Sequence, residues 1–273
     1  MVLRCGKYSV PLDRPLLMGV VNVTPDSFSD GGRFFDTKSA VSQALRLVQE
    51  GADIVDIGGE SSRPGALPVS VQEELKRVLP VLHGLKDLEI PISIDTRRPE
   101  VMQEALTAGA SMINDIEAFQ APGALQTVAA SGCAVCLMHK KGEPATMQQA
   151  PRYDDVVAEV SSFLKERVQA CERAGIERER MAVDPGFGFG KTLEHNLALL
   201  KHLSSFASLK VPVLVGWSRK SSLGKITGRP TEDRLPASLA MALLSLQAGA
   251  TILRVHDVRE TRDVIAVWQE YGK

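Results

Sequence analysis

No stretch of this chain approaches the roughly eighteen consecutive apolar residues that a membrane-spanning helix needs. The start lacks the charged-then-apolar layout of a secretory signal, and a cytoplasmic protein is therefore expected. Neither charge sign dominates: the 273 residues carry 32 Lys and Arg against 33 Asp and Glu, a formal net charge of -1. General attraction to nucleic acid or an anionic membrane is excluded, and any anion site must be local. The four cysteines, Cys5, Cys133, Cys136 and Cys171, have no secretory context. Only Cys133 and Cys136 resemble a C-x-x-C pair, and they fall inside the apolar run from Cys133 to Met138, where buried strand cysteine is the reading preferred over a redox or zinc pair. His83, His139, His195 and His202 show no H-E-x-x-H spacing, so zinc is not expected. No G-x-S-x-G elbow is found, no G-x-G-x-x-G follows the first strand, and no low-complexity tract or sequence repeat divides the chain.

What is present is a series of short apolar runs that each end in a polar residue or glycine. The ends are Asn22, Asp56-Ile57-Gly58, Asp95, Asn114-Asp115, Met138-His139, Asp184, Gly216 and Arg254-Val255-His256. Nearly every run is followed by a helical pattern, which is the layout of an α/β (βα)8 TIM barrel whose strands deliver side chains to one mouth. A doubly wound α/β sheet is the rival, but it ordinarily has fewer strands. Hydrophobic residues make up 44% of the chain, enough for one large core, so residues 1–273 are expected to form a single barrel domain with a short hairpin at about 1–15.

The pattern predicts strands over 16–21, 53–57, 90–94, 111–113, 134–138, 181–183, 211–215 and 251–255. Helices are expected over about 38–50, from 71 past 82, 99–109, 123–130, 154–174, 194–206, 233–247 and 258–268, with an extra turn near 221–225. Ser70-Val71-Gln72-Glu73 reads as a capping box, Pro99 as a helix start, and Gly51 and Gly109 as helix stops. Two long loops follow the first two strands, 22–32 and 58–65, and long ordered loops usually have a function.

In a barrel the strand-end residues share the mouth. A carboxylate at Asp95 or Asp184 can accept from a ring N–H and an exocyclic amine, the amidine-like edge of an amino-oxo-pyrimidine; a capping or rim-pairing aspartate is the alternative. Asn114 can donate and accept along such an edge, while Asp115 beside it suits a loop cap. Lys220, beyond the seventh strand, can meet a ring carbonyl or balance Asp184, or it is a solvated loop lysine. Arg254 and His256 are two apart on the last strand and share a face; with Arg63 they make three positive groups for a phosphate or pyrophosphate. His256 alone also reads as a packing histidine. Magnesium suits this set because it prefers oxygen, keeps its waters and travels with diphosphate, with Asn22 supplying one amide oxygen. Phe189 is either loop packing or a cover for an aromatic substrate.

The runs Asn22 to Gly32, Gly58 to Gly65, Asp184 to Phe189, Ser218 to Ser221 and Arg254 to Val258 together resemble the signatures of bacterial dihydropteroate synthase, the folate-pathway family inhibited by sulfonamides. The resemblance spans essentially the whole chain. It implies condensation of 6-hydroxymethyl-7,8-dihydropterin diphosphate with 4-aminobenzoate to 7,8-dihydropteroate and diphosphate. It further implies that Asp95, Asn114, Asp184 and Lys220 hold the pterin, and that Asn22, Arg63, Arg254 and His256 manage magnesium diphosphate. Phe28, Ser62, Pro64, Phe189, Lys220 and Ser221 would surround 4-aminobenzoate, with its carboxylate toward Ser221. Asp30 and Arg63 would meet as the site closes, and a homodimer is implied. Ser62 stands where the family commonly has threonine, so a modest effect on substrate or sulfonamide discrimination is expected; Lys140 stands where methionine is common, and a loop change without loss of reaction is expected. A pterin-dependent methyltransferase and a non-catalytic pterin-binding barrel are the two rival readings.

Overall fold

The computed structural model describes residues 1–24, 32–61 and 65–273, with side chains in the first helix described from residue 37. The barrel is built from eight parallel strands: β3 (Leu16–Asn22), β4 (Ile54–Gly58), β5 (Ile92–Asp95), β6 (Met112–Asp115), β7 (Ala134–Met138), β8 (Met181–Asp184), β9 (Leu214–Val215) and β10 (Ile252–Val255). They lie in the order β8-β7-β6-β5-β4-β3-β10-β9, and a parallel bridge from Val183 to Val213 joins the two ends of the sheet. This is the expected TIM barrel. The strand over 211–215 was expected whole, but only Leu214–Val215 is strand, with Val213 in the closing bridge. Its shortness has a local cause: Pro212 lacks an N–H for a ladder, and its carbonyl accepts from the Val183 N–H at 2.9 Å.

A two-stranded antiparallel hairpin, β1 (Val2–Cys5) and β2 (Tyr8–Pro11), precedes the barrel. Its Leu3 and Cys5 are fully buried in one cluster with Leu16, Ile54, Met112, Ala134, Ala182, Leu214 and Ile252, the residues at the starts of the barrel strands. The hairpin thus plugs the barrel floor. Outside the strands a second, larger cluster fills the space beneath the helices, with Leu17, Val55, Ile94, Ile113, Val135, Val183 and Leu253 pointing into it. Side chains alternate faces along a strand, so the residues between these, and two steps above the floor cluster, point into the barrel.

The helices are α1 (Gly32–Gln49), α2 (Val71–Gly84), α3 (Pro99–Thr107), α4 (Ala124–Ser131), α5 (Val156–Arg173), α6 (Leu193–Lys201), α7 (Ser221–Thr227), α8 (Leu235–Gln247) and α9 (Val258–Tyr271). Most ends fall where caps predict. Ser70 accepts from the Glu73 N–H at 3.2 Å, Asp155 accepts from Val157 and Ala158, and Pro99 occupies the first turn of α3. Gly51, after α1, takes φ +103°, where an L side chain is strained. Helix α1 begins six residues before the expected start at 38, because glycine and aromatic residues at its head gave no capping signal. The expected helix 194–206 instead divides into α6 and a 3-10 segment, Leu203–Leu209. No helix among the described residues is long and apolar enough to cross a membrane.

Candidate active site

Counting in twos up five of the strands, β4, β6, β8, β9 and β10, separates two layers. Below are Ile54, Met112, Ala182, Leu214 and Ile252, all buried and apolar; above them stand Asp56, Asn114, Asp184, Gly216 and Arg254. The change from apolar to polar at one level of the barrel places the chemistry at the C-terminal mouth. Register agrees: Gly58 pairs with Asp95, Asp95 with Asn114, Asn114 with Cys136, and Met138 with Asp184.

The centre of this layer is Arg254. Its Nε donates to Asp56 Oδ2 at 2.6 Å and its Nη2 to Asp95 Oδ2 at 2.7 Å, while Asn114 Nδ2 donates to the same Asp56 oxygen at 3.2 Å. One guanidinium therefore holds two carboxylates from neighbouring strands. Burial and the crowding of negative charge push the Asp95 carboxyl up to about 7 even though Arg254 pulls the other way. Arg254 itself is held above its usual range by Asp56 and Asp95. Asp56 was not among the residues picked out as site residues from the sequence. Its signal was there: an aspartate two positions above Ile54 on a strand that is otherwise apolar has to meet a cation or a ligand. Its Oδ1 is buried with no hydrogen-bond partner among the described residues.

Asp184 is buried at the end of β8, where its Oδ1 accepts from the Gly186 N–H at 2.7 Å, and burial raises its pKa. That bond orients the carboxylate. Lys220 donates to the Phe187 carbonyl at 2.6 Å and lies 4.2 Å from the centroid of the Phe189 ring. Those contacts distinguish it from a solvated loop lysine, and burial lowers its pKa to about 8. Phe189 is only partly buried, while Phe187 lies in the core against Trp217 with ring centroids 4.7 Å apart. Asp115 is fully buried and caps the following loop, accepting from Glu117 and Phe119 at 2.7 Å each, as its sequence position suggested.

His256 stands at the end of β10, with Ser218 Oγ 3.0 Å from its Nδ1 and the His256 N–H donating back to that oxygen at 3.1 Å. The β9 loop thus orients the imidazole. The adjoining Arg219 and Asp257 form an ion pair that ties the same two loops together. Asn22 closes β3, and its amide oxygen and Asp95 Oδ2 both lie 3.9 Å from where a Cβ on Gly58 would stand. The missing side chain at Gly58 keeps the space between those oxygens open. Ser221, at the start of α7, is exposed. Asp30, Phe28, Ser62, Arg63 and Pro64 lie outside the described residues.

The described residues thus bring Asn22, Asp95, Asn114, Asp184, Lys220, Arg254 and His256 to one end of one barrel, with Phe189 and Ser221 on its rim. Glu60, Arg97, Arg98, Glu117 and Lys140 join the neighbouring loops in a chain of ion pairs between 2.6 and 3.3 Å. Lys140 is part of this rim network through Glu117, 2.9 Å away. A cavity of about 340 Å³ lies at the opposite end, under the hairpin, and none of the polar strand-end residues lines it.

The family model described as pterin binding enzyme matches residues 18–256. Dihydropteroate synthase of Escherichia coli K12 is 50% identical over 260 residues, covering 95% of this chain and 92% of that protein. Among solved structures, Xanthomonas albilineans dihydropteroate synthase with 4-aminobenzoic acid superposes with a TM-score of 0.94 at 52% identity, covering 99% of this chain and 98% of that one. The Yersinia pestis dihydropteroate synthase in a sulfonamide drug complex has a TM-score of 0.94 at 44% identity, covering 100% and 99%.

Proposed function

The chain belongs to the dihydropteroate synthase family of pterin-binding enzymes, and from that premise we propose how its barrel mouth joins 6-hydroxymethyl-7,8-dihydropterin diphosphate to 4-aminobenzoate. The observation that carries the reading is the polar layer itself: three carboxylates, an amide, a lysine and an arginine converge at the C-terminal end of a barrel whose floor cluster is apolar. Buried carboxylates are costly unless something uses them. A pterin edge, with a ring N–H beside an exocyclic amine, offers the donors that the free oxygen of Asp184 and the side chain of Asn114 accept. Lys220 supplies a cation for the ring carbonyl, and Asp95 completes the hydrogen-bonding wall.

The bond between the pterin methylene carbon and the diphosphate oxygen breaks first, and the ring shares the positive charge that develops. Arg254, His256 and Arg63 receive the departing negative charge. Two donors of Arg254 are held by Asp56 and Asp95, which aim the guanidinium and leave Nη1 for an anion. The aniline nitrogen, neutral near pH 7, then attacks the carbon and loses its proton, and no enzyme-bound covalent intermediate is required. Phe189, with Phe28 and Pro64, provides aromatic and apolar cover for the aminobenzoate ring, beside Ser62, and Ser221 faces its carboxylate. Asp30 and Arg63 meet as the two long loops close and exclude water.

Magnesium fits the residues present. Among the described residues no cluster of three His, Cys, Asp or Glu forms a protein cage for an ion, whereas the Asn22 amide oxygen beside the open space above Gly58 suits a cation that keeps its own waters. Bound there, it would neutralise leaving-group charge.

Supporting a homodimer, Leu244 on α8 and Val267 and Tyr271 on α9 are large apolar side chains left 47%, 69% and 86% exposed. Light scattering on the purified protein reads its mass directly. We assign the protein to the cytoplasm, consistent with four free, buried cysteines.

The test is an assay with purified protein, both substrates and Mg2+, following diphosphate release and 7,8-dihydropteroate together. Product that requires both substrates supports the reading. A folded protein that binds the pterin but makes no product refutes it.

A further inference from the structure

Next to the pocket lies a charged side chain that the mechanism does not use. Lys191 is only 2% exposed, and its Nζ sits 2.9 Å from the Gly186 carbonyl, 3.1 Å from Phe189 O, 3.2 Å from His139 O and 3.0 Å from His139 Nδ1. All four partners are neutral acceptors. Burial and the neighbouring ammonium hold the His139 imidazole down to about 3, so it stays neutral and offers Nδ1 as a lone pair.

The four acceptors come from two loops, the one after β7 and the one after β8. These backbones press together so closely that a Cβ on Gly186 would stand 1.9 Å from His139 O, and one on Gly190 would stand 2.0 Å from Lys141 O. Three carbonyl oxygens converging on one point repel one another unless a cation sits between them. Lys191 is that cation: burial draws its ammonium down to about 7, Asp184 nearby pulls the other way, and the four acceptors around Nζ hold the proton there. The turn it holds runs from Asp184 to Gly190 and carries two groups that face Lys220, the Phe187 carbonyl and the Phe189 ring.

We propose that Lys191 is a positioning residue for the transfer reaction: its ammonium fixes the 184–190 turn, which in turn sets where Phe189 and Lys220 meet the second substrate. The inference rests on the reading that Phe189 covers the 4-aminobenzoate ring. Displacing catalytic or binding groups by about an ångström costs up to roughly a hundredfold in rate. Replacing Lys191 by methionine keeps most of its volume and removes every donated bond.

The experiment is a cycle of Lys191→Met, Phe189→Ala and the double variant, with KM for 4-aminobenzoate measured on the folded fraction at saturating pterin diphosphate. K191M is expected to raise KM about tenfold or more in the parent enzyme, and less than about twofold once Phe189 is alanine, because residues acting through one another are not additive. A lysine that only stabilises the fold would lower the folded fraction and leave KM at the parent value. That result, or equal fold-changes in both backgrounds, overturns the proposal. F189A with the parent KM would instead refute the assignment of Phe189 and, with it, this route of action. Should K191M fail to fold, Gln148→Ala decides: Gln148 Nε2 donates to the Gly188 carbonyl of the same turn from a partly exposed position. Its loss is expected to raise the same KM a few fold, and an unchanged KM overturns the proposal.

Discussion

Replacing Arg254 by methionine removes the guanidinium that bridges Asp56 and Asp95, and the consequence can be worked from their burial. Asp56 is fully buried, its Oδ1 has no partner among the described residues, and its Oδ2 would keep only Asn114. Breaking a buried pair by deleting one partner costs about 3–5 kcal/mol. The Arg254 side chain is 20% exposed, so water reaches part of the site and the low end, about 3 kcal/mol, is expected at pH 8.

The loss has a pH signature. Without the guanidinium the Asp95 carboxyl, already pushed up to about 7 against an unfolded value of about 4, rises further. A folded state that binds protons more tightly than the unfolded chain is stabilised as pH falls. The difference between parent and variant should therefore shrink to about 1 kcal/mol at pH 5.5. Urea unfolding followed by tryptophan fluorescence at both pH values measures it, since Trp217 is buried and Trp268 partly so. Asp56→Asn in the variant background should restore part of the stability at pH 8 and none of the activity. A difference below about 1 kcal/mol at both pH values, or one independent of pH, would refute the reasoning.

Lys220 at about 8 predicts that kcat/KM for pterin diphosphate falls as pH rises past 8; Lys220→Arg should move that limb upward even if activity is lower, as a pH-rate profile will show. Asp184→Asn should lower kcat/KM by about a hundredfold through the pterin while the thermal midpoint stays near the parent value, measured by steady-state kinetics and calorimetry. Gly186→Ala places a methyl 1.9 Å from the His139 carbonyl at φ +70° and should cost at least about 2 kcal/mol, read from urea midpoints. Asp95→Asn removes a carboxyl whose folded pKa is raised, so parent stability relative to the variant should fall between about pH 4 and 7.

The barrel was legible because each strand is an apolar run cut off by a polar residue, a signal that survives ragged boundaries. Strand β7 came out at its predicted limits, 134–138, since Gly132 closes the preceding helix two residues earlier and His139 ends the apolar run. The short β9 did not: Pro212, which has no N–H to give a ladder, stands inside the apolar run from Val211, and that breaker outweighed the apolar signal. Candidate site residues were legible at or one short of the strand ends, where Asp95, Asn114, Asp184 and Arg254 stand. Asp56 sits one turn of the pleat lower, and its importance appears only when Arg254, far away in sequence, is placed beside it. Lys191 was harder still. A lysine after a glycine-rich turn looks solvated in sequence, and only the folded loops show three carbonyls closing on it.

The central claim is that the polar layer at the strand ends is where the two substrates meet. A crystal structure with bound 7,8-dihydropteroate tests it most directly. The account predicts the pterin edge within hydrogen-bond distance of Asp184 and Asn114, with the benzoate ring against Phe189; product bound anywhere else, or in the mouth without those contacts, would contradict it.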